Sequence, residues 1–363
     1  MKTATNQVEE TDLAYIHDHA DAELNKISGE SILITGGAGF LGYYFTKSIL
    51  NWNDQHLSKP IQISILDNLM LGIPSWLKEI TRRSDVTLIK QNLINNFHIT
   101  KHYSYIIHAA SIASPVYYRK YPIETMDVNT VGLRKILDFT RKQKTNGVLF
   151  FSSSEIYGDP TQEKIPTPES YLGNVSCIGP RACYDESKRF GETLCYVFSK
   201  KYDLPVKIVR PFNNYGPGMK IIDGRVIADF SQCILENRDI KIYSDGSPTR
   251  TYCYIADAIV GYLKVLVFGK TTDPYNIGIE KPEISVIELA ETISKIGKQY
   301  FQYTGKVRFK KSADQNYLID NPSRRCPDIS KAQKELNFYP TITPDEGLYK
   351  TLRWYKQIYY PHQ

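Results

Sequence analysis

Short apolar runs recur along the first part of the chain, at Ile32–Thr35, Ile63–Asp67, Val86–Lys90, Tyr105–His108, Val148–Ser152 and Val206–Arg210. Between several of them lie helical patterns, notably over 123–143 and 184–201. Strands alternating with helices predict an α/β fold, a Rossmann-type doubly wound parallel sheet with helices on both faces. The two long helices carry apolar residues on more than one side (Ile123, Met126, Val131, Leu133, Ile136, Leu137; Leu194, Val197, Phe198). One side covers the sheet, and the other predicts a helix–helix surface in a homodimer; a fully buried core helix is the competing reading. Past residue 212 the character changes to short segments rich in turn residues, at 213–218 and 244–248. This predicts a smaller mixed α/β lobe over 213–363 that binds the substrate, closing over a sheet domain of 29–212, with parts of 250–280 returning to that domain. Residues 1–28 form a polar, acidic extension in which Leu13, Tyr15, Ile16 and Leu24 suit a short amphipathic helix of unread purpose.

The first two strands carry the strongest local signal. Ser31-Ile-Leu-Ile-Thr-Gly-Gly-Ala-Gly-Phe-Leu-Gly42 runs from a strand through a turn into a helix, with glycines at 36, 39 and 42. This context is the one a dinucleotide fingerprint requires. Gly36 permits a tight turn, Gly39 permits close approach to a pyrophosphate, and Gly42 lets helix and strand pack. The helix start at Phe40 and Leu41 offers unpaired N–H groups to the anion. The second strand ends at Asp67, whose carboxylate suits the ribose hydroxyls and repels a 2′-phosphate. Asn68-Leu-Met-Leu follows without a basic residue, so the expected cofactor is NAD rather than NADP.

Composition removes other classes. The 363 residues are 42% hydrophobic with a net charge of +6, and the Lys and Arg residues are scattered, so nucleic acid is not an expected partner. The six cysteines show neither C-x-x-C spacing nor paired histidines nearby, so no metal site is expected, and unpaired thiols fit the cytoplasm. The most apolar stretch, 258–268, is broken by Lys264, and no membrane association is expected.

A second constellation follows the strand at Val148–Ser152. Tyr184 and Lys188 are four apart and share one helix face, which sets an ammonium beside a phenol. With an oxidised nicotinamide nearby, that cation is expected to lower the phenol pKa toward working pH and make Tyr184 a base for a sugar hydroxyl. Tyr184 and Lys188, like Asn68, are also expected to contact the cofactor. Ser152-Ser-Ser-Glu-Ile-Tyr-Gly158 lies at a strand end, where such sheets place their chemistry.

With His108-Ala-Ala-Ser-Ile-Ala-Ser-Pro115, Ile178-Gly-Pro-Arg-Ala-Cys-Tyr-Asp-Glu-Ser-Lys-Arg189, Arg210-Pro-Phe-Asn-Asn-Tyr-Gly-Pro217 and Arg325-Cys-Pro-Asp-Ile329 added, the chain resembles the extended short-chain dehydrogenase/reductases that act on nucleotide sugars. Among these it is most similar to the UDP-glucuronate decarboxylases, over about residues 30–350. The resemblance implies that Ser153 and Tyr184 hold the C4 hydroxyl, that NAD accepts and returns hydride, and that the C6 carboxylate leaves as carbon dioxide from a 4-ketone. It further implies that Glu155 reprotonates C5 through a water and that Arg250 grips the carboxylate. Tyr118 would touch the sugar, and Asn213, Arg225 and Arg325 the nucleotide diphosphate or its ribose. The related 4,6-dehydratases carry an Asp where this chain has Ser154, so the acid for water elimination is missing. Departures from the decarboxylase pattern are Ile112, Val116, Asn92 and above all Asp127, where those enzymes carry a lysine; they keep a 4-epimerase or dehydratase-like reaction on another nucleotide sugar as the alternative. A catalytically silent NAD-binding regulator is the remoter rival, opposed by the joint presence of Ser153, Tyr184 and Lys188.

Overall fold

A computed structural model describes residues 7–95, 97–311, 319 and 321–361. Seven strands form one all-parallel sheet: β1 (Ser31–Thr35), β2 (Gln62–Asp67), β3 (Val86–Lys90), β4 (Tyr105–His108), β5 (Gly147–Phe151), β6 (Val206–Pro211) and β7 (Pro274–Ile277). Their order is β7-β6-β5-β4-β1-β2-β3. Chain direction reverses its march between β1 and β4, and the crevice at that point is where open α/β sheets bind ligands. The strand β7 pairs with β6 from Pro274 against Ile208 to Ile277 against Pro211. Its residues are too mixed to announce a strand locally, and the sequence reading placed none there.

The flanking helices are α1 (Gln7–Ile27), α2 (Phe40–Gln55), α3 (Pro122–Asp127), α4 (Leu133–Thr140), α5 (Ala182–Tyr202), α6 (Val226–Leu235), α7 (Ile255–Phe268), α8 (Val286–Tyr300) and α9 (Pro344–Tyr359). Local chemistry sets several of their ends. Ser285 and Glu288 close a reciprocal capping box at the start of α8. Thr343 caps α9, with Pro344 at the first position, where a missing N–H costs nothing. Asp203 ends α5 in the left-handed conformation.

Two expectations need correction. The single helix expected over 123–143 is divided into α3, a widened π turn at Val128–Gly132, and α4. The run Val-Asn-Thr-Val-Gly lacks strong helix formers, and the wide turn brings the buried Asn129 amide to donate to Ser187 Oγ at 2.9 Å. The second concerns the amino-terminal segment. From Gln7 onward it is a 21-residue helix, bent at Ala20, that packs against α2 and α7. Val8, Ile16, Ala20, Leu24 and Ile27 are buried in the main hydrophobic core. Residues 1–6 of the expected extension lie outside the described residues.

Polar contacts join α1 to the body as well. Asp12 is fully buried; Oδ2 accepts from Tyr44 Oη at 2.7 Å and Tyr254 Oη at 2.6 Å, while Oδ1 pairs with Lys350 Nζ at 3.2 Å. Glu9 accepts from Tyr43 and from Trp354 Nε1 at 3.1 Å, and Tyr15 donates to Asp257. No described helix is long and apolar enough to cross a membrane.

Candidate active site

A cleft of about 1320 Å³ runs along the carboxyl ends of the strands and reaches α6 and α9. At its first end the turn after β1 holds Gly36 at φ +67°, where a Cβ would stand 2.6 Å from the Ala110 backbone. A Cβ on Gly42 would lie 2.3 Å from the Gly37 carbonyl, so only glycine lets α2 start this close to the strand turn. Gly39, Phe40 and Leu41 line the cleft at the amino end of α2. Asp67 closes the floor: Oδ1 accepts from Leu69 N at 2.8 Å and Oδ2 from Ala38 N at 3.1 Å. Burial raises its pKa, with those two amides and Lys220 pulling the other way. Lys220 arrives from 153 residues away in the chain and donates to the Leu71 carbonyl at 2.9 Å, a cation that the sequence beside Asp67 does not reveal. Asn68 and Asn92 sit at the same end, each accepting from a backbone N–H two residues on, at 3.0 Å. A glycine cradle that any side chain would fill, ending at a buried carboxylate, fits an adenine dinucleotide.

In the middle of the cleft, β5 is followed by Ser152 and Ser153. Ser153 caps the short 3-10 turn Ser154–Tyr157, its Oγ accepting from Glu155 N at 3.1 Å. Tyr184 stands in the first turn of α5, its ring stacked on Tyr118 with centroids 5.3 Å apart. Lys188 Nζ donates to the Phe151 carbonyl at 2.7 Å and lies 5.7 Å from the Tyr184 ring centre. Burial raises the Tyr184 pKa to about 12, against the opposing hydrogen bond from Ser153. Burial also lowers the Lys188 pKa to about 7. The expected lowering of the phenol is therefore absent in the protein alone, because desolvation outweighs a cation that reaches no closer.

Beside this pair a charged cluster dominates. Glu155 Oε2 accepts from Arg181 and Oε1 from Arg325. Burial disfavours its charge, yet the two guanidiniums outweigh burial and hold it well below the usual carboxylate range. Asp185 Oδ2 lies 3.6 Å from Arg181 Nε, and burial together with Glu155 pushes Asp185 up. Arg250 donates to the carbonyls of Thr249 (2.7 Å), Pro322 (2.5 Å) and Ser323 (3.2 Å) and to Asn321 Oδ1 (3.3 Å). Burial and the neighbouring Arg325 lower its pKa to about 10.

Residues 32–278 match the NAD dependent epimerase/dehydratase family. The chain belongs to that family. It is 34% identical over 334 residues to UDP-glucuronic acid decarboxylase 1 of Xenopus tropicalis, covering 92% of this chain and 74% of that one. It is also 34% identical to UDP-glucuronic acid decarboxylase 3 of Arabidopsis thaliana, over 87% of this chain and 86% of that one. Among solved structures, a dTDP-glucose 4,6-dehydratase of Streptomyces venezuelae with NAD bound superposes with a TM-score of 0.76 at 22% identity, covering 90% of this chain and 97% of that one.

Set within this family's fold, most of the sequence-predicted residues meet in one cleft. Ser153, Glu155, Tyr184, Lys188 and Arg250 all line it, together with Tyr118, Asn213 and Arg225. Asn213 takes a left-handed φ of 42° and donates to the Thr251 carbonyl at 2.9 Å. Arg225 is paired with Asp223, Nε to Oδ1 at 2.5 Å, and lies over the Phe40 ring. Three placements differ from expectation. Arg325, expected at the nucleotide, is ion-paired with Glu155. Arg250 rests on neutral oxygens in this state rather than presenting an open fork. Asp127 is not among the residues lining the cleft, so the charge reversal there does not face this space, whereas Ile112 and Val116 do. Arg181 and Asp185 went unread as site residues, although both stand inside the run around Tyr184; no spacing rule says that Arg181 turns back onto Glu155 across 26 positions.

Proposed function

We propose that this protein decarboxylates UDP-glucuronate to UDP-xylose or its 4-keto precursor. The observation that carries the reading is the charge of the sugar end. Arg181, Arg250 and Arg325 meet there with Glu155 and Asp185, and among the described residues Arg250 has only neutral acceptors. A partly buried guanidinium held by neutral oxygens keeps its charge free for an anion, and a planar carboxylate is the group its fork fits. The decarboxylases named above support the same substrate. Ser154, buried at the end of β5, has no carboxyl group to protonate a leaving hydroxyl, which speaks against dehydration.

NAD, when bound at the glycine turn and Asp67, supplies a hydride acceptor that later returns the hydride. The chain's residues do the rest. Ser153 and Tyr184 orient the C4 hydroxyl, and Tyr184 takes its proton. Lys188, fixed by the Phe151 carbonyl, holds positive charge beneath the phenol ring. Arg250 turns its fork from the 321–323 carbonyls to the sugar carboxylate, which lies β to the C4 ketone and leaves as carbon dioxide. Glu155 supplies the proton that replaces it at C5.

The test is to incubate the NAD-loaded protein with UDP-glucuronate in deuterated water and follow products by mass and NMR. Carbon dioxide, a pentose product and deuterium at C5 are expected, without net NADH accumulation if hydride is returned. Arg250→Ala should lower kcat/KM by roughly ten- to a hundredfold while leaving UDP affinity close to wild type, the loss expected for a charged hydrogen-bonded pair. Inert UDP-glucuronate beside an epimerised or dehydrated neutral nucleotide hexose would overturn the assignment.

The reading extends to a homodimer. Ile123 on α3 and Phe190, Tyr196 and Val197 on α5 are 63, 51, 51 and 49% exposed, and the two helices pack side by side. Contiguous apolar surface of this kind marks a protein contact. Sedimentation is expected to give twice the 41.6 kDa chain mass, and Val197→Asp to shift the protein toward the monomer. A wild-type chain that sediments as a monomer at micromolar concentration would refute this surface.

A further inference from the structure

Glu155, the residue the reaction needs as an acid, is held here in the state least able to donate a proton. We propose that the unliganded protein stores Glu155 on the Arg181–Arg325 pair, and that the substrate's own carboxylate, shared with Arg250, releases it by taking its place there. The inference rests on the decarboxylation reading and adds how the site distinguishes an acidic sugar from a neutral one.

The geometry supports an exchange. Each Glu155 oxygen sits on a different guanidinium, so the glutamate bridges the two arginines as a substrate carboxylate could. All three side chains line the cleft beside Arg250. Replacing one carboxylate by another costs the pair no hydrogen bond, and charge-assisted bonds of this type are strong enough to decide which anion is held. The corner also has unused capacity. Arg181 Nε and Tyr118 Oη, on two residues that line the cleft, are buried without a hydrogen-bond partner. Buried polar atoms left open at the wall of a cleft are what an arriving polar ligand satisfies.

Release changes what Glu155 is. The two guanidiniums keep it ionised against its burial. Once displaced, it faces a second carboxylate and Asp185 inside a buried corner with Arg250 and Tyr184, and like charges with desolvation favour its protonated form. A proton then enters with the substrate and is in place for C5. A neutral nucleotide hexose leaves Glu155 on its arginines.

The test separates binding from turnover by using the NAD-loaded Tyr184→Phe protein, which cannot take the C4 proton. Titration calorimetry in buffers of different ionisation enthalpy at pH 7 should show uptake of about one proton with UDP-glucuronate, by linkage. UDP-glucose and UDP should give close to none. Adding Glu155→Gln should abolish the uptake, whereas adding Asp185→Asn should leave it. Infrared difference spectra of the same Tyr184→Phe protein should gain a protonated-carboxyl band with UDP-glucuronate alone, a readout that needs no further substitution. No uptake, equal uptake with UDP-glucose, or uptake that survives Glu155→Gln overturns the exchange. Carbon dioxide release by the wild-type protein, measured in parallel, keeps the outcomes apart. Decarboxylation without proton uptake refutes the exchange alone, and absence of decarboxylation refutes the reading beneath it.

Discussion

Replacing Tyr184 with Phe is expected to lower kcat by roughly a hundredfold or more, the contribution of a positioned general base. Such a factor corresponds to about 3 kcal/mol of transition-state stabilisation. The structure says where this comes from. The ring is clamped by the Tyr118 stack and the α5 backbone, so Phe occupies the same space and only the hydroxyl is lost. Burial keeps the phenol near pKa 12 in the protein alone, so its proton leaves only when positive charge arrives. Lys188 contributes part of that charge, and its own lowered pKa of about 7 makes the contribution dependent on pH. Below about 7 the ammonium is present and assists the phenolate; above it, the neutral amine assists less. Binding of the dinucleotide and of UDP should be almost unchanged in the variant, since neither relies on the hydroxyl. Steady-state rates with UDP-glucuronate, alongside calorimetric titration with UDP, check this; near wild-type turnover would remove Tyr184 from the proton transfer.

The parts of the molecule that were legible in the sequence are those set by neighbours along the chain. Apolar runs placed β1 to β6 within a residue or so, since each strand is announced by its own apolar residues. The glycine turn and Asp67 were readable because Gly36 and Gly42 satisfy steric demands of an adjacent backbone. Tyr184 and Lys188 were readable because one helix carries both. What stayed hidden depends on distant partners. Arg325 meets Glu155 across 170 positions, and Lys220 meets the loop after Asp67 across the cleft. Pairings of that span follow from the tertiary fold, which no local pattern encodes. What the phenol does in the protein alone was hidden for a related reason. Proximity of a cation can be read from spacing, but the desolvation that outweighs it belongs to the packed structure.

The amino-terminal helix is the clearest case of such hidden coupling, and Asp12→Ala is expected to expose it with a loss of about 3 kcal/mol in stability. The carboxylate is the shared acceptor for Tyr44 on α2 and Tyr254 at the start of α7, and the partner of Lys350 on α9. Alanine leaves two buried hydroxyls and a half-buried ammonium without it. Part of that loss is offset, because burial raises the Asp12 pKa, so its charge is itself costly in the fold. The sign follows from linkage. Between the unfolded value of 3.8 and the raised folded value, the folded chain binds more protons, so stability from this group declines as pH rises through that window and is level above it. The loss on substitution should therefore be smaller at high pH, where the relieved cost is fully present, than near pH 4. Thermal melts at fixed NAD concentration should show a fall of roughly 4 °C. Asp18→Ala, exposed on the same helix, should move the midpoint by less than a quarter of that. Equal melting of the two variants would make α1 a peripheral attachment. A large difference would instead tie it to the cleft, because one turn before Asp12 the same helix holds Tyr43 and Trp354 through Glu9, and both rings line that cleft.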